Sequence, residues 1–262
     1  MLDTLTPVRF DKRSSYGRTN PAFIVCEAPD GHELEVIVKL SAGCDRTTTS
    51  LAIEVVAACL AGDLGLPVPQ PYLVRLDPDW LAIVPDAEWR DKASRSSDVA
   101  FGSRRVAATF SQWIDGTPIL GALVEKAAAV LLFDALIDNP DRRSENPNCF
   151  VWGDEIKIFD HELAFGPAII GWRSPWELGA LNHFERPGFH IFREGLRRRE
   201  LDWGAITSRW TDLPDENIED YESVIPAEWA AALPSVRDAI GKIKAARDHI
   251  DACALEVQRV LR

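Results

Sequence analysis

The stretch Phe133–Phe165, FDALIDNPDRRSENPNCFVWGDEIKIFDHELAF, decides how the rest of the chain is read. An apolar run ends in Asn139-Pro140-Asp141-Arg142, and Asn146 follows five positions after Asp141. A second apolar run, Ile156, Ile158 and Phe159, then delivers Asp160 at its end. The first run must leave the helical region before Pro140, because the residue preceding a proline is disfavoured there. Three polar side chains are thereby set at the mouths of two apolar elements. Asp141 can accept a hydrogen bond from a hydroxyl and orient it, a task in which placement matters more than basicity. Asn146 and Asp160 offer hard oxygen donors of the kind Mg²⁺ takes. Arg142, next to a carboxylate, can brace the loop through a bidentate pair. The structural alternative for the stretch is a polar turn followed by a β-hairpin tipped by Gly153-Asp154.

Upstream, three short strands are expected over Val8–Asp11, Ala22–Ala28 and Glu33–Leu40, the last two joined by the hairpin chemistry of Pro29-Asp30-Gly31-His32. Between the first two lies Lys12–Pro21, where Gly17, Arg18 and Thr19 could offer backbone N–H groups and a charge to phosphate oxygens. A basic solvent loop is the alternative. Lys39 emerges from an apolar strand, which is costly unless it is paired or at an edge. Its partner is expected in the next helix, capped by Ser50, where Glu54 sits one turn in. Such an ion pair can hold a lysine against the α and β phosphates of ATP.

Further strands are expected at Pro71–Arg75, Leu81–Val84 and Ala107–Trp113, with a long polar loop over Asp86–Ser103. Gln112, Trp113 and Ile114 form a strand end whose backbone suits an adenine edge, and Trp113-Ile114-Asp115-Gly116-Thr117-Pro118 breaks the strand pattern and reads as a linker. Ile119–Asp138 has helical periodicity, with Leu123, Ala127, Val130, Leu131 and Ala135 at steps of three and four. Trp172, Trp176, Phe184 and Phe189 in the following irregular region read as packing residues. From Pro234 the stripe of Val236, Ile240, Ile243, Ile250, Val257 and Leu261 predicts one amphipathic closing helix.

The balance of 29 basic against 41 acidic side chains gives a net charge of −12, which repels a phosphate backbone and excludes nucleic acid as a direct partner. The five cysteines, Cys26, Cys44, Cys59, Cys149 and Cys253, are odd in number and never spaced as a zinc pair. They are expected to be reduced and mostly buried, as in a cytoplasmic protein. The opening residues MLDTLTPVRFDKR hold no apolar signal, and no window sustains the roughly 18 apolar residues of a membrane span. A protein without a membrane segment is expected.

At the central stretch a resemblance becomes nameable. N-x-D-R-x-x-x-N, then I-x-D-H-x-L-A-F, resembles the signature shared by HipA-like kinases and the phosphatidylinositol 3/4-kinase group; Gly65-Leu66-Pro67-Val68-Pro69 and the Gly17–Pro21 turn favour the HipA-like side. The resemblance implies an α+β, bilobal protein-kinase-like fold. Residues 1–115 would form an N-lobe of antiparallel sheet with one helix, and residues 116–262 a mainly helical C-lobe. It further implies ATP and Mg²⁺ as cofactors, Lys39 on the phosphates with Glu54 as its partner, Asp141 as catalytic acid/base, and Asn146 and Asp160 on the metal. Transfer to serine or threonine of a protein is the leading expectation. A small-molecule hydroxyl acceptor, drawn by an acidic cleft of Glu177, Glu185 and Asp202, and a catalytically silent nucleotide-binding module stay open. The resemblance also implies a toxin or stress-response role with a partner antitoxin or regulatory protein, and Ser14 and Ser15 are the self-modification sites to inspect first. The chain departs from the family pattern at Arg143, where a histidine commonly stands, and in lacking a glycine after Asp160.

Overall fold

In a computed structural model of the chain, residues 2–14, 17–166 and 173–262 are described; Ser15 and Trp172 lie outside them. The chain divides into two compact units. One comprises residues 1–59, 69–106 and 220–237, and the other residues 60–68, 107–219 and 238–262.

The first unit is built on a closed barrel of five strands, β1 (Thr4–Arg13), β2 (Ala22–Glu27), β3 (Glu33–Lys39), β4 (Pro71–Arg75) and β5 (Val99–Arg104), in the order β1-β2-β3-β5-β4. An odd number of strands cannot close with every neighbour antiparallel. The exception here is β1 with β4, which pair in parallel through Thr4↔Leu73 and Leu5↔Val74. β1 also spans β2 along its length, and register shifts beside Pro7 and between Phe10 and Lys12 bend it. Strand alternation fills the interior: Ala22 faces Val38, Ile24 faces Val36, and Cys26 faces Leu34 across the β2–β3 pair, all of them buried. The expected antiparallel sheet is therefore corrected to a closed, mixed barrel. That closure rests on a pairing between residues far apart in sequence.

The helix after β3 is α1 (Thr48–Asp63). It begins before Ser50, whose hydroxyl is buried within the helix without a partner, so Ser50 is not the cap. Leu51, Ala52, Ile53, Val55, Val56 and Ala57 are all fully buried, which marks a helix covered all round. Two further helices replace expected strand and loop. Leu81–Val84 falls in and just after α2 (Pro78–Ile83), because Asp77 accepts hydrogen bonds from the amides of Asp79 and Trp80 and Pro78 occupies the first helical position. Asp86–Ser103 holds α3 (Ala87–Ser94), capped by Asp86 through the Trp89 amide, and most of β5. The first unit thus carries more than the one helix expected.

In the second unit, β6 (Ser111–Gln112), β7 (Cys149–Trp152) and β8 (Glu155–Ile158) form a three-stranded sheet. Only Ser111 and Gln112 of the expected Ala107–Trp113 strand pair, and they pair with β7. α4 (Leu123–Leu136) is deeply buried and packs against α5 (Arg193–Leu196), α6 (Trp203–Thr211) and α9 (Ile250–Val260). α7 (Asp215–Ser223) and α8 (Leu233–Asp248) each have residues in both units. The expected closing helix is two, α8 and α9, broken at His249, whose φ of −114° and ψ of 23° lie off the helical region. None of the five cysteines is in a disulfide, and burial pushes the thiols of Cys26, Cys149 and Cys253 up to about 12. Among the described residues no helix is long and apolar enough to cross a membrane.

Within the first unit, Trp229 is fully buried and its indole N–H donates to the Val99 carbonyl at 3.0 Å. Trp229→Ala is expected to lower stability by about 3–5 kcal/mol, read as an earlier urea midpoint at unchanged slope.

Candidate active site

In the first unit, Lys39 follows Val38 on β3, so its side chain leaves the face opposite the barrel interior. There its ammonium lies 3.2 Å from Glu54 Oε2 of α1, with both side chains buried. The expected pairing is therefore present. A buried lysine and glutamate are each costly alone and tolerable together.

Gly17 (φ 90°) and Asn20 (φ 49°) shape a tight turn in which the Asn20 amide donates to Gly17 O at 3.2 Å. Arg18 is paired with Asp45 at 2.5 Å, and the carbonyl of buried Thr19 accepts from Lys92 of α3 at 2.6 Å. The Gly17–Asn20 turn is thus tied to Asp45 and to Lys92.

In the second unit, α4 stops at Leu136, earlier than the expected Asp138, and Asp138 takes φ 51°. The Asn139 side chain then accepts from the Asp141 amide at 3.2 Å. A reciprocal pair of backbone bonds between Arg143 and Asn146, each 3.1 Å, folds the loop back. That turn brings Asn146 Nδ2 to 2.8 Å from Asp141 Oδ2. Asn148, at φ 43°, donates to the same oxygen at 3.2 Å. Burial raises the Asp141 carboxyl above its usual range and the nearby Asp160 charge adds to this, while the amide bonds from Asn146 and Asn148 oppose it.

The loop hangs on Arg142. Its guanidinium is fully buried and binds Asp134 of α4 bidentately, Nε to Oδ2 at 2.5 Å and Nη2 to Oδ1 at 3.2 Å. Nη1 donates to Asn148 O at 2.6 Å, and Nη2 reaches His161 Nε2 at 2.8 Å. Because a guanidinium only donates, the His161 Nε2 is the acceptor. Asn139 and His190 add bonds to Asp134 at 2.7 and 3.0 Å. Burial works to raise the Asp134 carboxyl, but the charge of Arg142 and the hydrogen bonds from His190 and Arg142 outweigh it and hold the group well below the usual carboxylate range. Burial lowers His190 despite its bond to Asp134, so its ring stays neutral near pH 7.

Asp160 follows β8 at φ 64°, and the Phe159 amide donates to Asn148 O at 3.1 Å. The hairpin with Gly153-Asp154 at its tip is real, and it carries the polar loop rather than replacing it. Where a flexible glycine could have followed Asp160, the buried His161 is tied to Arg142, so this segment and the Asp141 loop share one anchor. The donors of Asn146 and Asp160, beside Asp141, are hard oxygens and fit Mg²⁺ completed by water and phosphate. Among the described residues no cluster of three or more His, Cys, Asp or Glu forms a metal cage of its own.

Other expected residues are placed differently. The Trp113 amide donates to Cys149 O at 2.8 Å and its ring is buried edge-on to Phe192, so the amide is already engaged; Gln112 and Ile114 flank it and are exposed. Asp202 caps α6 through the Ala205 amide and Glu185 pairs with Arg259, so neither stands ready for a cationic acceptor, while Glu177 is exposed. Arg143 donates to Pro140 O at 2.6 Å and lies over the Phe189 ring. Asp134, Asn148 and His190 were not singled out in the sequence, and Asn139 and His161 stood there only as letters of the motif, with no role attached. Asp134 left a trace as a charge inside the apolar period of α4.

Asp134→Asn leaves Arg142 buried without its counter-charge and is expected to cost about 3–5 kcal/mol in chemical unfolding. Because the folded carboxyl lies below its unfolded value, its contribution is present above about pH 4 and is lost as pH falls through the folded value. The wild-type stability curve should drop in that acid window, and the variant should lack that part of the drop.

No curated protein matches the chain. Among solved structures, the fold is similar to that of the proinflammatory kinase CtkA of Helicobacter pylori, at 13% identity and a TM-score of 0.57, covering 97% of this chain and 98% of that one. Residues 8–257 match the family described as HipA-like kinase, and the chain therefore belongs to the HipA-like kinase family.

Proposed function

We propose that the chain is an ATP- and Mg²⁺-dependent kinase that transfers the γ-phosphate to a hydroxyl, with serine or threonine of a protein as the acceptor. The observation that carries this reading is the Asp141 carboxylate, held by two amide donors in a loop anchored on a buried ion pair. A carboxylate so fixed can receive the proton of an acceptor hydroxyl and aim its oxygen. Membership of a kinase family supports ATP as the phosphate donor.

Lys39, kept in place by Glu54, would bind the α and β phosphates, and Gly17, Arg18 and Thr19 would cover them. Asn146 and Asp160 would hold Mg²⁺, which when bound neutralises the charge developing on the phosphate oxygens. In this division of labour residues 1–115 handle the nucleotide and residues 116–262 the acceptor. The engagement of Asp202 and Glu185 in structural bonds weighs against a cationic small-molecule acceptor. Five cysteines outside any disulfide support a reducing, cytoplasmic setting.

Incubation with labelled ATP and Mg²⁺, followed by mass spectrometry of the protein itself and of lysate, should reveal phosphoserine or phosphothreonine, with Ser14 inspected first. Asp141→Asn should cut transfer by about 10²–10⁴-fold with ATP affinity little changed, and Lys39→Met should lower kcat/KM by about 10²–10³-fold. Full transfer by Asp141→Asn would sink the assignment, and transfer undiminished in EDTA would remove the metal from it.

A further inference from the structure

Beside the Gly17–Asn20 turn, the first unit contains a cavity of about 170 Å³, well above the ~10–15 Å³ that admits a single water. Arg13, Asn20, Glu88, Trp89, Lys92 and Arg95 supply its polar lining. Trp89, Lys92 and Arg95 follow at three-residue steps along α3 and at its end, so they share one face.

The lining is rich in donors and poor in acceptors. Glu88 is the only carboxylate in it, and it is paired with Arg13 at 2.6 Å. Arg13 is met by Asp86 as well, and Arg95 by Asp91, so these two bring hydrogen-bond donors without much net charge. Lys92 is different. Its ammonium is partly buried, has no carboxylate partner among the described residues, and spends one N–H on Thr19 O. Burial lowers its affinity for the proton by more than neighbouring Cys44 and Glu88 raise it, and the charges of Arg95 and Arg13 act in the same direction as burial. The indole Nε1 of Trp89 is also buried and has no acceptor among the described residues. A buried N–H left unpaired is costly, and such groups in native proteins call for a reason.

We infer that this cavity is an anion site for a phosphate-type tetrahedral oxyanion carried on a small phosphomonoester. A tetrahedral anion has acceptor lone pairs on several sides, which suits donors arriving from α3, from β1 and from the Asn20 turn. It would supply the charge that Lys92 lacks. The space exceeds that of a bare anion, which leaves room for an organic body.

The test uses the full chain labelled at its tryptophan indole nitrogens, titrated with inorganic phosphate and with glycerol phosphate against chloride at matched ionic strength. The indole N–H resonance that disappears in Trp89→Phe should shift and saturate with either phosphate and not with chloride. Lys92→Met should weaken the saturation at least about tenfold, while Lys39→Met should leave it unchanged. Tighter binding of glycerol phosphate than of inorganic phosphate supports the phosphomonoester, and equal or weaker binding overturns that part. A Trp89 resonance unmoved by both, or wild-type affinity in Lys92→Met, overturns the site. So does loss of the shift in Lys39→Met, which assigns the anion to Lys39. Should Lys92→Met fail to fold, the Trp89 shift in the wild-type chain decides. Binding is read without phosphate transfer, so failure of the kinase assignment would leave this result standing.

Discussion

A guanidinium with no exposed surface, eight residues after the carboxylate that neutralises it, is the interaction on which the Asp141 loop depends. Burying Arg142 and Asp134 costs several kcal/mol per ion before their attraction repays any of it, so the pair is poor evidence for net stability. What it supplies is position. One side chain reaches α4 through Asp134, the start of β7 through Asn148 O, and the segment after β8 through His161. A hydrophobic residue at 142 could fill the same volume, but it could not fix three separate backbones by direction.

The first unit handles its buried charge by other means. Lys39 belongs to the strand whose alternate residues fill the barrel, and the pleat alone turns it outward to Glu54. The placement is thus a by-product of barrel closure. Any one-residue slip of β3 would exchange Lys39 for Val38 and put the charge inside the barrel.

This contrast explains what could be read in the chain. That Lys39 meets Glu54, and that Asn146 and Asp160 come near Asp141, was legible as placement because local rules govern it: alternation along a strand, one helical turn, a proline that ends a helix. Barrel closure was not, since β1 meets β4 across more than sixty residues and nothing in Thr4-Leu5 announces Leu73-Val74. Leu81–Val84 was misassigned because a short apolar run suits strand and helix equally; Asp77-Pro78 before it was the decisive cue. Asp86 before α3 was a cap of the same kind, hidden in a segment whose composition suggested a loop. The partners of Asp134 had no local signature, because Arg142 and His190 reach it only after the chain has turned back. The family and its kinase fold were legible from the central motif, while the acceptor is a property of surfaces that no motif encodes.

Asp138, Asn148 and Asp160 all sit at positive φ, whereas Asp141 and Asn146 do not. Aspartate and asparagine tolerate that region better than other residues bearing a Cβ. Backbone handedness therefore constrains 148 and 160 apart from any chemistry. Under the proposed transfer, 141 and 146 carry a chemical constraint alone, so a descendant that abandoned it would keep Asp or Asn at 148 and 160 while 141 and 146 drifted. On that reading the identity of residue 141 is a better record of living chemistry than the more conspicuous acid at 160.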